Sequence, residues 1–213
     1  MIAPDLPAAL KAALDARLHG QSRQDAAARA ARISAGYRSG GNSGTITSEA
    51  DAIAYAVVRM PATYAAVAAS LNALMQVSPD LAPASLLDVG AGPATASFAA
   101  ADAFTSLSSF RAVDSNPALR TLALALAVDT GRAPSIDYAL GPARTLLDRA
   151  GSADLVIASY MIGELTDAER PGIIDALWAR TGDTLLIVEP GTPAGYQRIV
   201  AARARLLAAG AQV

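Results

Sequence analysis

The sequence predicts an α/β protein in which a sheet of five parallel strands, covered on both faces, follows an N-terminal helical cap. Three observations predict it. From residue 84 onward, short apolar runs alternate with stretches of helical composition, the rhythm of βαβ units. Residues 5–34 and 52–77 instead carry Ala, Leu and Arg at amphipathic helical spacing. A glycine turn, Gly90-Ala91-Gly92, stands directly after the first apolar run, where such a sheet passes from strand to helix.

The elements follow in order. Residues 5–34 read as one or two helices, and the glycine- and hydroxyl-rich stretch YRSGGNSGTITS (37–48) as an exposed loop. Ser48 with Asp51 three places on forms a variant of a capping box, and the helix over 52–77 that it starts meets Pro61, which begins a second segment or kinks the first. The cap is assigned to residues 1–80 and the α/β domain to 81–213. Five strands are read at SLLDV (85–89), FRAV (110–113), SIDYAL (135–140), ADLVIAS (153–159) and DTLLIVE (183–189). Helices are expected near 94–104, 117–130, 142–150, 167–180 and 193–209; Asn116-Pro117 and Thr192-Pro193 each set a capping side chain before a first-turn proline. Ala211-Gln212-Val213 reads as the opening of another strand, so the chain is expected to stop inside its fold. The sheet's last strands would then be missing, leaving an unpaired edge that lowers stability or invites association.

Composition narrows the chemistry. Hydrophobic residues make up 53% of the 213, with alanine the commonest of them, which favours closely packed helices. No apolar run approaches the roughly 20 residues that span a bilayer, and the start MIAPDLPAAL lacks the features of a signal peptide. A soluble, cytoplasmic protein is expected. Cys is absent and His19 is the sole histidine, which excludes disulfides, thiolate metal sites and cysteine nucleophiles within this chain. Residues 1–40 carry Lys11, Arg17, Arg23, Arg29, Arg32 and Arg38 against Asp5, Asp15 and Asp25. That excess is compatible with RNA contact, but a solvated helix face accounts for it as well.

The glycine turn does not meet the dinucleotide fingerprint, because Thr95 occupies the place of the third glycine and Pro93 follows the second. Asp114 ends the second strand 22 residues after Gly92, where a carboxylate can accept both ribose hydroxyl protons; its alternative reading is a helix-capping acid. Asp88-Val89-Gly90-Ala91-Gly92 resembles the first motif of class I S-adenosylmethionine-dependent methyltransferases. The resemblance implies a Rossmann-like sheet and a turn whose backbone lets the amino-acid half of the cofactor approach. Asp88 would help hold the ammonium, directly or through water. The cofactor-binding set it implies is Asp88, Gly90, Ala91, Gly92, Pro93, Asp114, Ser115, Asn116, Leu140, Ser159 and Tyr160.

No catalytic residue is identified. The segment after the fourth strand reads Ala158-Ser159-Tyr160-Met161 and lacks the Asn/Asp-Pro-Pro-aromatic pattern of amino-methyltransferases, while covalent pyrimidine methylation needs a cysteine. Glu164 belongs either to the pocket or to the start of the next helix. Arg59 and Tyr64 could reach over the cofactor mouth from the cap, although an Arg with a packed stem and a solvated head is the commoner case.

Two further stretches, VRMPATYAA (58–66) and LLIVEPGTPAGYQRIVAARARLLAAGA (185–211), with the glycine turn and SYMIGEL (159–165), resemble the methyltransferase-like family associated with the small ribosomal subunit in bacteria and mitochondria. The likeness spans roughly residues 50–213, and Glu189-Pro190-Gly191-Thr192-Pro193 is its most specific piece. It implies S-adenosylmethionine binding and action on, or assembly of, the small subunit or its rRNA, with neither membrane nor DNA as partner. It also implies an iron–sulfur cluster held by a cysteine-containing region that this chain does not include. A non-catalytic assembly factor and a small-molecule methyltransferase remain the alternatives.

Overall fold

The computed structural model describes residues 1–19, 22–38, 43–132 and 135–212. Three helices come first: α1 (Ala8–Leu18), α2 (Arg23–Arg38) and α3 (Glu49–Val77). Strands and helices then alternate as β1 (Ser85–Val89), α4 (Thr95–Ala103), β2 (Ser109–Asp114), α5 (Pro117–Thr130), β3 (Ile136–Leu140), α6 (Ala143–Arg149), β4 (Ala153–Ser159), α7 (Arg170–Ala179), β5 (Thr181–Val188) and α8 (Pro193–Ala208). The strands form a parallel sheet in the order β3-β2-β1-β4-β5. The order reverses at β1, so the chain leaves β1 and β4 toward opposite faces and opens a crevice at their carboxyl ends.

Burial explains the layers. Leu86, Leu87, Asp88 and Val89 of β1 are all buried, as a central strand covered on both faces requires. On one face Leu10, Ile33, Ile53, Met60 and Leu71 of the first three helices share a continuous apolar cluster with Phe98 of α4 and Leu119 and Leu126 of α5. On the other, Leu147 of α6 and Ile173 and Leu177 of α7 pack on Leu87, Val89 and Val156.

The start of α3 is fastened by charge. Ser48 Oγ accepts from Asp51 N at 3.2 Å and donates back to Asp51 Oδ2 at 2.9 Å, completing the capping arrangement. Asp51 is buried and also accepts from Arg29 Nη1 (3.0 Å) and Arg32 Nη2 (2.6 Å), which ties α2 to α3. Arg17 pairs with Asp129 of α5. Much of the N-terminal positive excess therefore serves internal pairing.

Four expectations change. α3 runs unbroken through Pro61, because burial of Met60, Tyr64, Val67 and Leu71 on one face outweighs the intrahelical bond that proline removes. At 29 residues it is also long and apolar enough, by length and composition, to cross a bilayer, contrary to the expectation that no stretch approaches this; here its buried face is core. The loop expected over 37–48 is shorter, since α2 continues to Arg38, residues 39–42 lie outside the described residues, and Ser43–Thr45 make a 3₁₀ turn. Ala211 and Gln212 form no strand, and Val213 lies outside the described residues.

Candidate functional site

The glycine turn hangs from β2. Gly90 N and Ala91 N donate to Val113 O at 2.8 and 3.1 Å, Ala94 N donates to Ala91 O at 2.8 Å, and Tyr138 on β3 donates its hydroxyl to Gly92 O at 2.7 Å. Gly90, Gly92 and Ala94 take φ of +70°, +53° and +61°, the left-handed region. Position 90 has a second requirement, because a Cβ there would stand 2.6 Å from Met161 Cβ. The segment after β4 thus packs directly on the turn.

The two acids differ in use. Asp88 is wholly buried; its Oδ2 accepts from Ser97 N (3.0 Å) and Ser97 Oγ (2.7 Å), tying β1 to α4, while Oδ1 has no partner. Burial pushes its carboxyl up to about 6 against the Ser97 bonds, with the charge of Asp114 adding to the rise. Asp88 lines neither cavity at the site, so the direct ammonium contact expected of it is not what its side chain is placed to make. Asp114 does face the crevice: Oδ2 accepts from Gly92 N at 2.9 Å and Oδ1 from Asn116 N at 2.7 Å. Burial raises its pKa while the N–H groups of Asn116, Gly92 and Ser115 oppose the rise.

Asn116, not Asp114, caps α5. Its Oδ1 accepts from Ala118 N and Leu119 N, both at 3.0 Å, and its Nδ2 donates to Ser43 O (2.8 Å) and Ile46 O (2.9 Å). Its amide is fully engaged within the protein, so its expected role as a cofactor ligand is corrected: it fixes the wall of the site. Asn116→Ala is expected to lose the cap and both donor bonds, about 2–3 kcal/mol in urea titration. Asn116→Asp retains the cap acceptor but sets a carboxylate oxygen against the Ser43 and Ile46 carbonyls, so it should be no more stable than Asn116→Ala.

Two cavities meet at Gly90. The larger, about 980 Å³, lies between Asp114, Ser115 and Asn116, the Ser43–Thr47 stretch, Pro142–Arg144, and Met161, Glu164 and Leu165. Glu164 therefore belongs to the pocket, and its Oε2 accepts from Ser43 N at 3.4 Å; α7 starts only at Arg170. The smaller, about 40 Å³, lies under α3 and is lined by Tyr55, Arg59, Met60 and Thr63 opposite Gly90–Pro93, Thr95, Ser159 and Tyr160. Leu140 lines neither cavity; it ends β3 beside Asp114 and is 48% exposed. Tyr64 faces away into the core, where its hydroxyl donates to Asp102 Oδ2 at 2.6 Å, and Asp102 also pairs with Arg132.

Tyr160 is held at φ +58°, a strained backbone for a bulky residue, with its N–H donated to Val188 O at 2.7 Å. Burial raises its hydroxyl pKa, the charge of Glu189 adds to the rise and that of Arg59 opposes it. Glu189, whose side chain is fully buried, accepts from Arg198 Nε at 2.6 Å and from Gly163 N at 3.2 Å. The acid in the Glu189–Pro193 run thus secures the segment after β4 to α8. Among the described residues no cluster of three or more His, Asp or Glu side chains is placed to hold a metal, and the chain has no Cys, so the residues present do not fit an iron–sulfur cluster.

Known proteins resemble this chain in sequence and in fold. The family model described as mitochondrial small ribosomal subunit Rsm22 matches residues 49–213. The human protein described as ribosome assembly protein METTL17, mitochondrial, is 29% identical over 156 residues, 71% of this chain but 34% of its own length. The chain therefore spans about a third of that relative. Among solved structures, a candidate S-adenosyl-L-methionine-dependent methyltransferase from Methanococcus maripaludis superposes with TM-score 0.53 at 16% identity, over 75% of this chain and 72% of that one. The plantazolicin methyltransferase BpumL, solved with SAH, gives TM-score 0.50 at 14% identity over 62% and 49%. The fold is that of the class I methyltransferases. The expected cytoplasmic location is overturned, since the family model and the human relative are both described as mitochondrial. The family model covers more than three quarters of the sequence, and the chain belongs to the Rsm22 family.

Proposed function

We propose that the protein binds S-adenosylmethionine or its demethylated product in the large cleft and acts in assembly of the small ribosomal subunit, in contact with its rRNA. The observation that carries this reading is the convergence of Asp114 and the Gly90–Gly92 turn on one cleft at the sheet's switch point. The Asp114 carboxylate faces the cleft as an acceptor suited to ribose hydroxyls, and the N–H bond from Gly92 aims it. Ala91 and Pro93 shape the turn, Ser115 forms the rim, Leu140 backs Asp114, and Ser159 and Tyr160 wall the small cavity. When bound, the cofactor supplies an electrophilic methyl group.

A second reading is favoured by the small cavity itself. Its lining holds no carboxylate, imidazole or thiol, and burial raises the pKa of Tyr160, so no side chain there is suited to take a proton from an attacking amine or hydroxyl near neutral pH. The site then serves as a ligand-stabilised platform for assembly, without transfer.

Calorimetric titration with S-adenosylhomocysteine tests the shared premise. The wild type should bind, and Asp114→Ala should bind roughly 10- to 100-fold more weakly through loss of charge-assisted hydrogen bonds. Failure of the folded wild type to bind at millimolar ligand would sink both readings. Small subunits from cells lacking the protein, supplied with labelled methyl donor, separate them. Label entering RNA only with wild-type protein shows transfer; assembly restored by Asp114→Ala shows that transfer is dispensable.

A further inference from the structure

Arg59 is the one charged residue in the lining of the small cavity. It lies on α3 with Tyr55 and Thr63, one turn to either side, and this face of the helix closes over Gly90–Pro93. The two cavities share Gly90, so a ligand whose ribose lies at Asp114 must run its tail past the turn and end under α3. The space there is about 40 Å³. At roughly 10–15 Å³ for each water, it admits a group of three or so heavy atoms, the size of a carboxylate and too small for a nucleobase.

We propose that Arg59 is the carboxylate anchor of this site, so that the cleft selects adenosine ligands that carry an intact amino-acid tail over those that lack it. The inference rests on the cofactor reading above and adds to it a residue and a specificity. A guanidinium presents a planar fork that matches a carboxylate in two parallel bonds, and in a small enclosure such bonds are strong. The field of Arg59 already reaches the far wall, where its charge acts on the Tyr160 hydroxyl against that of Glu189. The acids that line the site, Asp114, Glu164 and Glu169, all belong to the large cleft, which also holds Arg144, whereas the lining of the small cavity holds Arg59 and no acid. A zwitterionic tail would lie with its carboxylate toward α3.

Calorimetry with two probes, S-adenosylhomocysteine and 5′-methylthioadenosine, which keeps the adenosine and sulfur but has no amino acid, tests the anchor. The wild type should prefer S-adenosylhomocysteine. Arg59→Met should weaken that ligand by roughly 10- to 100-fold and leave 5′-methylthioadenosine within about twofold, with Arg59→Lys between. Equal loss for both probes would make Arg59 a structural residue and overturn the anchor. So would unchanged affinity for S-adenosylhomocysteine, or a wild type that binds the two probes alike. Binding of neither probe by the wild type would instead overturn the cofactor reading and the anchor with it. Should Arg59→Met fail to fold, Arg59→Gln, which keeps a polar stem without the charge, carries the same comparison.

Discussion

Gly90→Val should cost the protein about 3–5 kcal/mol, enough to leave it largely unfolded at room temperature if its stability lies in the usual range. Two penalties add. The φ of +70° is strained for a β-branched residue, at about 1–3 kcal/mol. The new Cβ would also stand 2.6 Å from Met161 Cβ, in a place where the segment after β4 is held by Tyr160 N to Val188 O and by Gly163 N to Glu189 and cannot retreat. The test is a denaturant melt of Gly90→Ala, Gly90→Val and Gly90→Ala with Met161→Gly. The double variant should recover the packing part of the loss and keep the dihedral part. If it recovers nothing, Met161 is not what position 90 must avoid.

Stability should fall steeply in acid because of Asp51. Burial alone would raise its carboxyl, but hydrogen bonds from Ser48, Arg29 and the Thr47 N–H, with the charge of Arg32, outweigh burial and hold it at about 2 against an ordinary 3.8. A carboxylate whose folded pKa lies below its unfolded value binds fewer protons when folded, so its stabilisation is present above the unfolded value. It is lost as the pH falls through the folded one. The shift corresponds to about 2 kcal/mol, present at neutral pH and lost progressively between about pH 5 and 2. Asp51→Asn should remove most of that slope in urea melts taken across this range. Asp51→Ala should cost about 2–4 kcal/mol at neutral pH, because the bond that Ser48 Oγ donates to the carboxylate is lost and Arg29 and Arg32 lose their counter-ion, while the cap on the residue-51 N–H stays. A variant with an unaltered acid slope would show that α2 is not tied to α3 through this carboxylate.

Local pattern carried much of the fold. Strands β1 and β4 coincide with the runs read at 85–89 and 153–159, and Asn116-Pro117 and Thr192-Pro193 start α5 and α8 as their chemistry requires, because capping and burial periodicity act over a few residues. Pro61 misled because a local cost of one hydrogen bond is small beside a buried helical face, which no short window reveals. In the site, the glycines and Asp114 were legible from spacing. Asn116 was legible only as a cap; that its other two donors hold Ser43 and Ile46 across the cleft depends on a contact 70 or more positions away in the chain. Met161 was legible only as part of SYMIGEL, Tyr138 only as a strand residue and Ser43–Thr47 only as a loop; their places against the glycine turn and the cleft were not. Nothing in a stretch such as NSGTIT says which strand end it will cover.

By itself, then, the order of residues determined the alternation of strands and helices, the glycine turn after β1, the acid at the end of β2 and the family likeness, since each is a matter of neighbours or of fixed spacing along one chain. Only the tertiary structure decided that Asp88 turns away to Ser97, that Tyr64 belongs to the core while Arg59 faces the turn, and that Met161 makes glycine obligatory at position 90. Those outcomes follow from how α3 and the segment after β4 pack against the sheet, where side chains far apart in sequence compete for one enclosed volume and the one that fills it without strain or an unmade hydrogen bond prevails.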